Sequence, residues 1–88
     1  MSASPEGRPA WEAAFFSLLH PVQIAVVEAL GWTGEPMSSR LLFEVLGGAW
    51  PLGTVGYHVH RLALTGVLEE RYREPVRGVT EHFYGLAR

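Results

Sequence analysis

What this chain can fold into is limited first by its punctuation. Pro21, Gly31, Gly47, Gly48, Pro51, Gly66, Pro75 and Gly78 fall between its apolar runs and cut it into short segments. Proline suits the first turn of a helix, where its missing N–H has no partner to lose, and glycine suits the residue after the last turn. Ser2 to Pro9 reads as a mobile tail, followed by a domain over residues 10–88. Ala10 to Leu19 carries Trp11, Ala14, Phe15 and Leu18 at helical spacing, and Pro21 opens a second helix ending at Leu30 with Gly31 as its stop. Val22, Ile24, Val27 and Leu30 are its candidate buried face. After a loop from Gly31 to Pro36, Ser38 or Ser39 caps a third helix through Leu46, ended by Gly47 and Gly48. Pro51 starts a fourth that reaches Thr65 before Gly66. Val67–Arg73 and Val79–Leu86 read as two strands joined by the linker Glu74 to Gly78. The expected fold class is mainly α with a β-hairpin (α+β), four helices followed by a two-stranded ribbon.

Eighty-eight residues leave room for one core and no cleft between domains. A chain of this size buries only ~60–65% of its unfolded surface, so a second copy would add needed stability. The absence of cysteine excludes disulfides and thiolate metal sites. No apolar run approaches the roughly 20 residues of a membrane span, and Arg8, Pro9 and Glu12 make the N-terminus a poor secretion signal. The cytoplasm is the expected location.

Formal charge is −2, against a strongly basic nucleic-acid coat. The sum hides an asymmetry. Residues 1–50 set Arg8 and Arg40 against Glu6, Glu12, Glu28, Glu35 and Glu44 and are acidic; residues 51–88 set Arg61, Arg71, Arg73, Arg77 and Arg88 against Glu69, Glu70, Glu74 and Glu81 and are slightly basic. Every cation is arginine. Its planar fork suits phosphates and guanine edges, although a GC-rich genome gives the same usage.

The segment from Pro51 to Thr65 carries the most information. Leu52, Val55, Val59 and Leu62 form one apolar seam at spacings of three and four. Its opposite side holds Gly53, Thr54, Tyr57, His60 and Arg61, with His58 on the shoulder. A helix entering a major groove needs small residues for close approach, polar ones to read base edges and a cation for the flanking phosphates. The preceding short helix and glycine-containing turn complete the helix-turn-helix order. The plainer alternative is a solvated polar face.

The hairpin adds a second candidate contact. Arg71, Arg73 and Arg77 cluster near its tip, where a wing lies along the backbone or in the minor groove. Strict alternation places Arg71 and Arg73 on one face and Glu70 on the other, favouring phosphate contact. The competing arrangement has Glu69, Glu70 and Glu74 neutralise these arginines across the ribbon.

The runs Leu19-His20-Pro21 through Leu30, Ser39 to Gly47, and Leu52-Gly53-Thr54-Val55-Gly56-Tyr57-His58-Val59 resemble the winged-helix regulators of the arsenic-repressor (ArsR) type. Gly66-Val67-Leu68-Glu69 and the stretch from Pro75 to Tyr84 look like a metal-independent actinobacterial branch of that group. The resemblance covers about residues 15–87 and implies a dimeric transcriptional regulator that binds double-stranded DNA. Carried over by position, it implies that Thr54, Gly56, Tyr57, His58 and Arg61 lie on the recognition helix and Arg77 on the wing. Three features depart from the pattern. The turn Gly47-Gly48-Ala49-Trp50 is longer, Gly56 replaces a common serine at a cost of ~1 kcal/mol in helix propensity relative to alanine, and the sequence ends just past the wing, where many relatives have a dimerising helix.

Other chemistry is poorly served. On a helix His58 and His60 point about 200° apart and cannot chelate one ion. No positioned nucleophile, phosphate loop or carboxylate pair accompanies Tyr57-His58, so neither catalysis nor a cofactor is expected. Phe16 lies away from the Trp11–Phe15–Leu18 stripe, and one core cannot cover both sides of that helix. This predicts a homodimer through Trp11, Phe15, Phe16 and Leu19, with recognition helices one DNA turn apart and an inverted-repeat operator. Two rivals remain: a winged helix kept as a protein-interaction module without DNA binding, and a small-molecule sensor built on Trp11, Phe15, Trp32 and Trp50.

Overall fold

A computed structural model describes residues 20–88. The expected tail over 1–9, the helix over 10–19 and the proposed dimer residues Trp11, Phe15, Phe16 and Leu19 lie outside the described residues. Within them the order is α1 (Pro21–Thr33), α2 (Ser39–Val45), α3 (Leu52–Leu64), β1 (Leu68–Val76) and β2 (Val79–Leu86), an α+β arrangement of three helices and an antiparallel hairpin.

Helix α1 begins where Pro21 predicts. His20 holds extended backbone at the N-cap and its Nδ1 accepts the Val22 N–H at 3.1 Å. The helix does not stop at Gly31, however. It runs to Thr33, and Gly34, at φ 70°, closes it with its N–H on the Leu30 carbonyl. Glycine permits a left-handed turn without forcing one, and Gly31 stays helical where α1 passes the hairpin: a Cβ there would meet Leu86 Cδ1 at 3.6 Å. The buried face is Val22, Val26 and Leu30, an i, i+4, i+8 row. Ile24, expected inside, is 37% exposed, because two residues along a helix is more than half a turn away from Val22.

Ser38 caps α2 by accepting the Leu41 N–H at 3.1 Å, which satisfies a buried hydroxyl and one orphan helix donor together. Leu42 is the side chain α2 buries, and α3 answers with Val55, Val59 and Leu62. These residues join Val22, Val26, Leu30, Met37 and Leu68 in one core, whose larger members each contribute about 1.5–3 kcal/mol on burial.

The hairpin is longer and its loop tighter than the sequence predicts. Pairing runs from Leu68↔Leu86 to Val76↔Val79, leaving only Arg77 and Gly78 in the turn. Both have positive φ, 54° and 81°, the two-residue turn whose twist matches the strands. Pro75, read as a breaker, pairs with Thr80, which a two-stranded ribbon with free edges tolerates. Met37 and Tyr84 exchange backbone bonds at 2.9 Å in both directions and fasten β2 to the segment entering α2.

A candidate nucleic-acid interface

Val55, Val59 and Leu62 of the α3 seam face inward, while Leu52 is half-buried at the helix start, and Gly53, Tyr57, His60 and Arg61 are exposed. Tyr57 is 57% exposed, with the Arg61 guanidinium carbon 6.0 Å from its ring centroid, a loose cation–π contact that aligns two open side chains. Thr54 is half-buried near the helix start.

Two residues assigned to this face have other commitments. The His58 ring stacks on His20, centroids 4.4 Å apart at 24°, and its Nδ1 lies 3.1 Å from Gln23 Nε2. The amide nitrogen can only donate, so Nδ1 accepts and is unprotonated. Burial foremost, then the His20 and Arg61 charges, push the His58 pKa below its ordinary value. His58 therefore joins α3 to α1 as a neutral ring, a correction to its placement among the reading residues. Gly56 faces α2: a Cβ there would stand 3.8 Å from Ser39 Oγ. It forms part of the helix crossing and lines the cleft beside it.

The wing differs more. A register shift between Glu70 and Tyr72 inserts Arg71 as an extra, unpaired residue. An inserted residue resets the alternation beyond it, so Arg71 and Arg73 no longer share a face and Glu70 joins Arg73. Arg73 Nε bonds Glu70 Oε2, and His82, cross-strand from Arg73, reaches Glu70 Oε1 at 3.1 Å. The Arg73 bond first, then that of His82, holds the Glu70 carboxyl below the usual range. Arg71 is 23% exposed, pairs with Glu69 at 2.9 Å and donates to the Leu86 carbonyl. Its guanidinium crosses Gly85 so closely that a Cβ there would lie 3.0 Å from it. Arg71 thus clasps the two strands.

Among the described residues Arg40, Arg61 and Arg77 make no ion pair, whereas Arg71, Arg73 and Arg88 do. Arg40 and Arg77 face a shared cleft of about 600 Å³ between α2, the start of α3 and the hairpin, lined also by Ser39, Gly56, Thr80 and His82. Sequence reasoning counted Arg40 only in the acidic half. The available signal was that the Ser38 cap and the burial of Leu42 fix the rotation of α2 and leave Arg40 outside. Trp32, grouped earlier with Trp50, is 91% exposed, while Trp50 packs against the core. The groove that Trp32 lines with Val45 and Leu46 does not include Trp50.

Comparison with protein families matches residues 18–71 to the helix-turn-helix domain family, more than half of the chain. The chain belongs to the helix-turn-helix family. The matched span runs from the entry to α1 through α2 and α3 into β1, so it contains all three helices and the short α2–α3 pair in helix-turn-helix order. No curated protein matches the chain. No helix among the described residues is long and apolar enough to cross a membrane.

Proposed function

We propose that this protein is a winged helix-turn-helix transcriptional regulator of the ArsR type, which binds double-stranded DNA as a homodimer on an inverted-repeat operator in the cytoplasm. It works without catalysis or a cofactor. The observation that carries this reading is the open edge of α3, where Gly53, Tyr57 and Arg61 are exposed, together with Arg40 and Arg77, which have no carboxylate partner among the described residues. Gly53 admits the helix close to the bases, Tyr57 and Arg61 reach edges or flanking phosphates, and Arg77 extends contact to the wing tip. The dimer is assigned to Trp11, Phe15, Phe16 and Leu19.

Titration of the protein onto its own promoter region at two salt concentrations tests the reading. Salt-sensitive binding with a shallow slope is expected, because few cations are free. No binding at low salt by an intact dimer removes it.

A second reading, a winged helix serving as a protein-interaction module, draws on the neutralisation of Arg71 and Arg73 by Glu69 and Glu70. The same titration separates the two, since an interaction module leaves the duplex unbound.

A further inference from the structure

On the cleft side of the hairpin two nitrogen donors converge on one anion. Glu70 uses both carboxylate oxygens, Oε2 on Arg73 Nε and Oε1 on His82 Nδ1. A carboxylate cannot donate, so in this bond the His82 Nδ1–H is the donor. Arg73 is 65% exposed and His82 41%, so solvent and ligands reach both. His82 also lines the cleft that Arg40 and Arg77 face. The arrangement depends on the bulge at Arg71, since strict alternation would put Glu70 on the opposite face from Arg73. An exposed ion pair of this kind contributes little net stability, and a second oxyanion can take its place at small cost. A phosphate offers the same pair of acceptor oxygens in a geometry that suits arginine.

We propose that Arg73 and His82 form an anion site for a backbone phosphate of duplex DNA, and that the Glu70 carboxylate is its resident occupant, exchanged for phosphate when the duplex binds. Glu70 then sets the wing's contribution to affinity. With the carboxylate in place the wing offers Arg77 alone; once Glu70 gives way, Arg73 and His82 add a phosphate contact. This inference rests on the duplex-binding reading above and deepens it.

The test is Glu70→Gln in the full chain, which keeps the shape of the side chain and one acceptor but removes the charge. Duplex affinity, followed by fluorescence anisotropy across a salt series, is expected to rise about fivefold or more, with a salt slope steeper by about 1. Glu74→Gln is the charge-matched control: Glu74 lies cross-strand from Glu81 and pairs with no cation among the described residues, so its effect should be smaller and leave the slope alone. In an Arg73→Ala background, Glu70→Gln should lose most of its effect. An unchanged affinity and slope in Glu70→Gln overturns the proposal, as does an equal gain in the Arg73→Ala background. Titration with inorganic phosphate, read at the His82 ring resonances, separates this site from the wider reading. Phosphate that shifts them at lower concentration in Glu70→Gln supports the anion site even if the duplex does not bind. Resonances that ignore phosphate in both proteins overturn it even if the duplex does.

Discussion

Gly56 meets Ser39 at the crossing of α2 and α3, with 3.8 Å between the serine Oγ and the place where a Cβ would stand. That is ordinary van der Waals spacing, so the site admits one methyl group without movement. Glycine inside a helix costs about 1 kcal/mol relative to alanine. Gly56→Ala should therefore raise stability by close to that amount, or about 4–8 °C in Tm for a domain of this size. Thermal unfolding checks it. A branched side chain such as valine should reverse the gain, since its outer atoms reach Ser39. A Gly56→Ala protein less stable than its parent would mean that the crossing is tighter than described.

The Tyr57–Arg61 pair supports a prediction about recognition. Both side chains are open, and Arg61 makes no ion pair among the described residues. Arg61→Ala should weaken specific duplex binding by about 1–3 kcal/mol with little change in thermal stability. Footprinting and anisotropy on the promoter fragment measure the first effect, and circular dichroism the second. An unchanged footprint would show that another face of α3 meets the ligand.

How much of this was legible beforehand follows from which forces decide each element. The start of α1 at Pro21, the Ser38 cap and the buried Val55, Val59 and Leu62 of the α3 seam are local patterns and follow their spacing, whereas Leu52 at the helix start is only half-buried. The stop of α1 was misplaced because Gly31 and Gly34 both allow a turn, and sequence spacing does not say which of the two takes it. The wing was misjudged for a sharper reason. A bulge is a pairing event between strands, so nothing in the run from Leu68 to Arg73 announces that Arg71 will be the extra residue. That one insertion moved Glu70 beside Arg73, where the two form an ion pair. His58 was misassigned likewise, because its partner Gln23 lies 35 residues away.

Arg77 and Arg71 should respond to mutation in opposite ways. Arg77 occupies left-handed backbone at φ 54°, where a two-residue turn of this type favours asparagine or glycine. Arg77→Asn should hold or slightly raise stability while weakening DNA binding and lowering the salt slope by about 1. Arg71→Ala removes the bond to the Leu86 carbonyl and the contact with Glu69. After allowance for its partial exposure, that loss should be about 1 kcal/mol of stability, with duplex affinity per folded molecule unchanged. Urea unfolding alongside anisotropy reads both. If Arg71→Ala were as stable as the parent but bound DNA poorly, the clasp and the phosphate ligand would have to exchange roles.

His58 gives the fold a pH dependence whose sign is fixed by its surroundings. Burial, His20 and Arg61 all lower its pKa in the folded protein, so the unfolded chain binds the proton more readily. Stability then rises with pH wherever the unfolded state carries more protons. The His58 contribution is complete above the unfolded value near 6.5. It declines as pH falls below that point, and levels off once pH is under the lowered folded value. Protonation at Nδ1 would also break the bond donated by Gln23 Nε2 and require that amide to turn over. His58→Gln removes the titration and keeps a side chain able to reach Gln23. Stability curves for the two proteins should run parallel above pH 7 and converge or cross as pH falls below about 6.5, the parent losing more. Curves parallel throughout that window would mean that the ring titrates alike in the folded and unfolded chains, and that its stack on His20 does not disfavour the charged form.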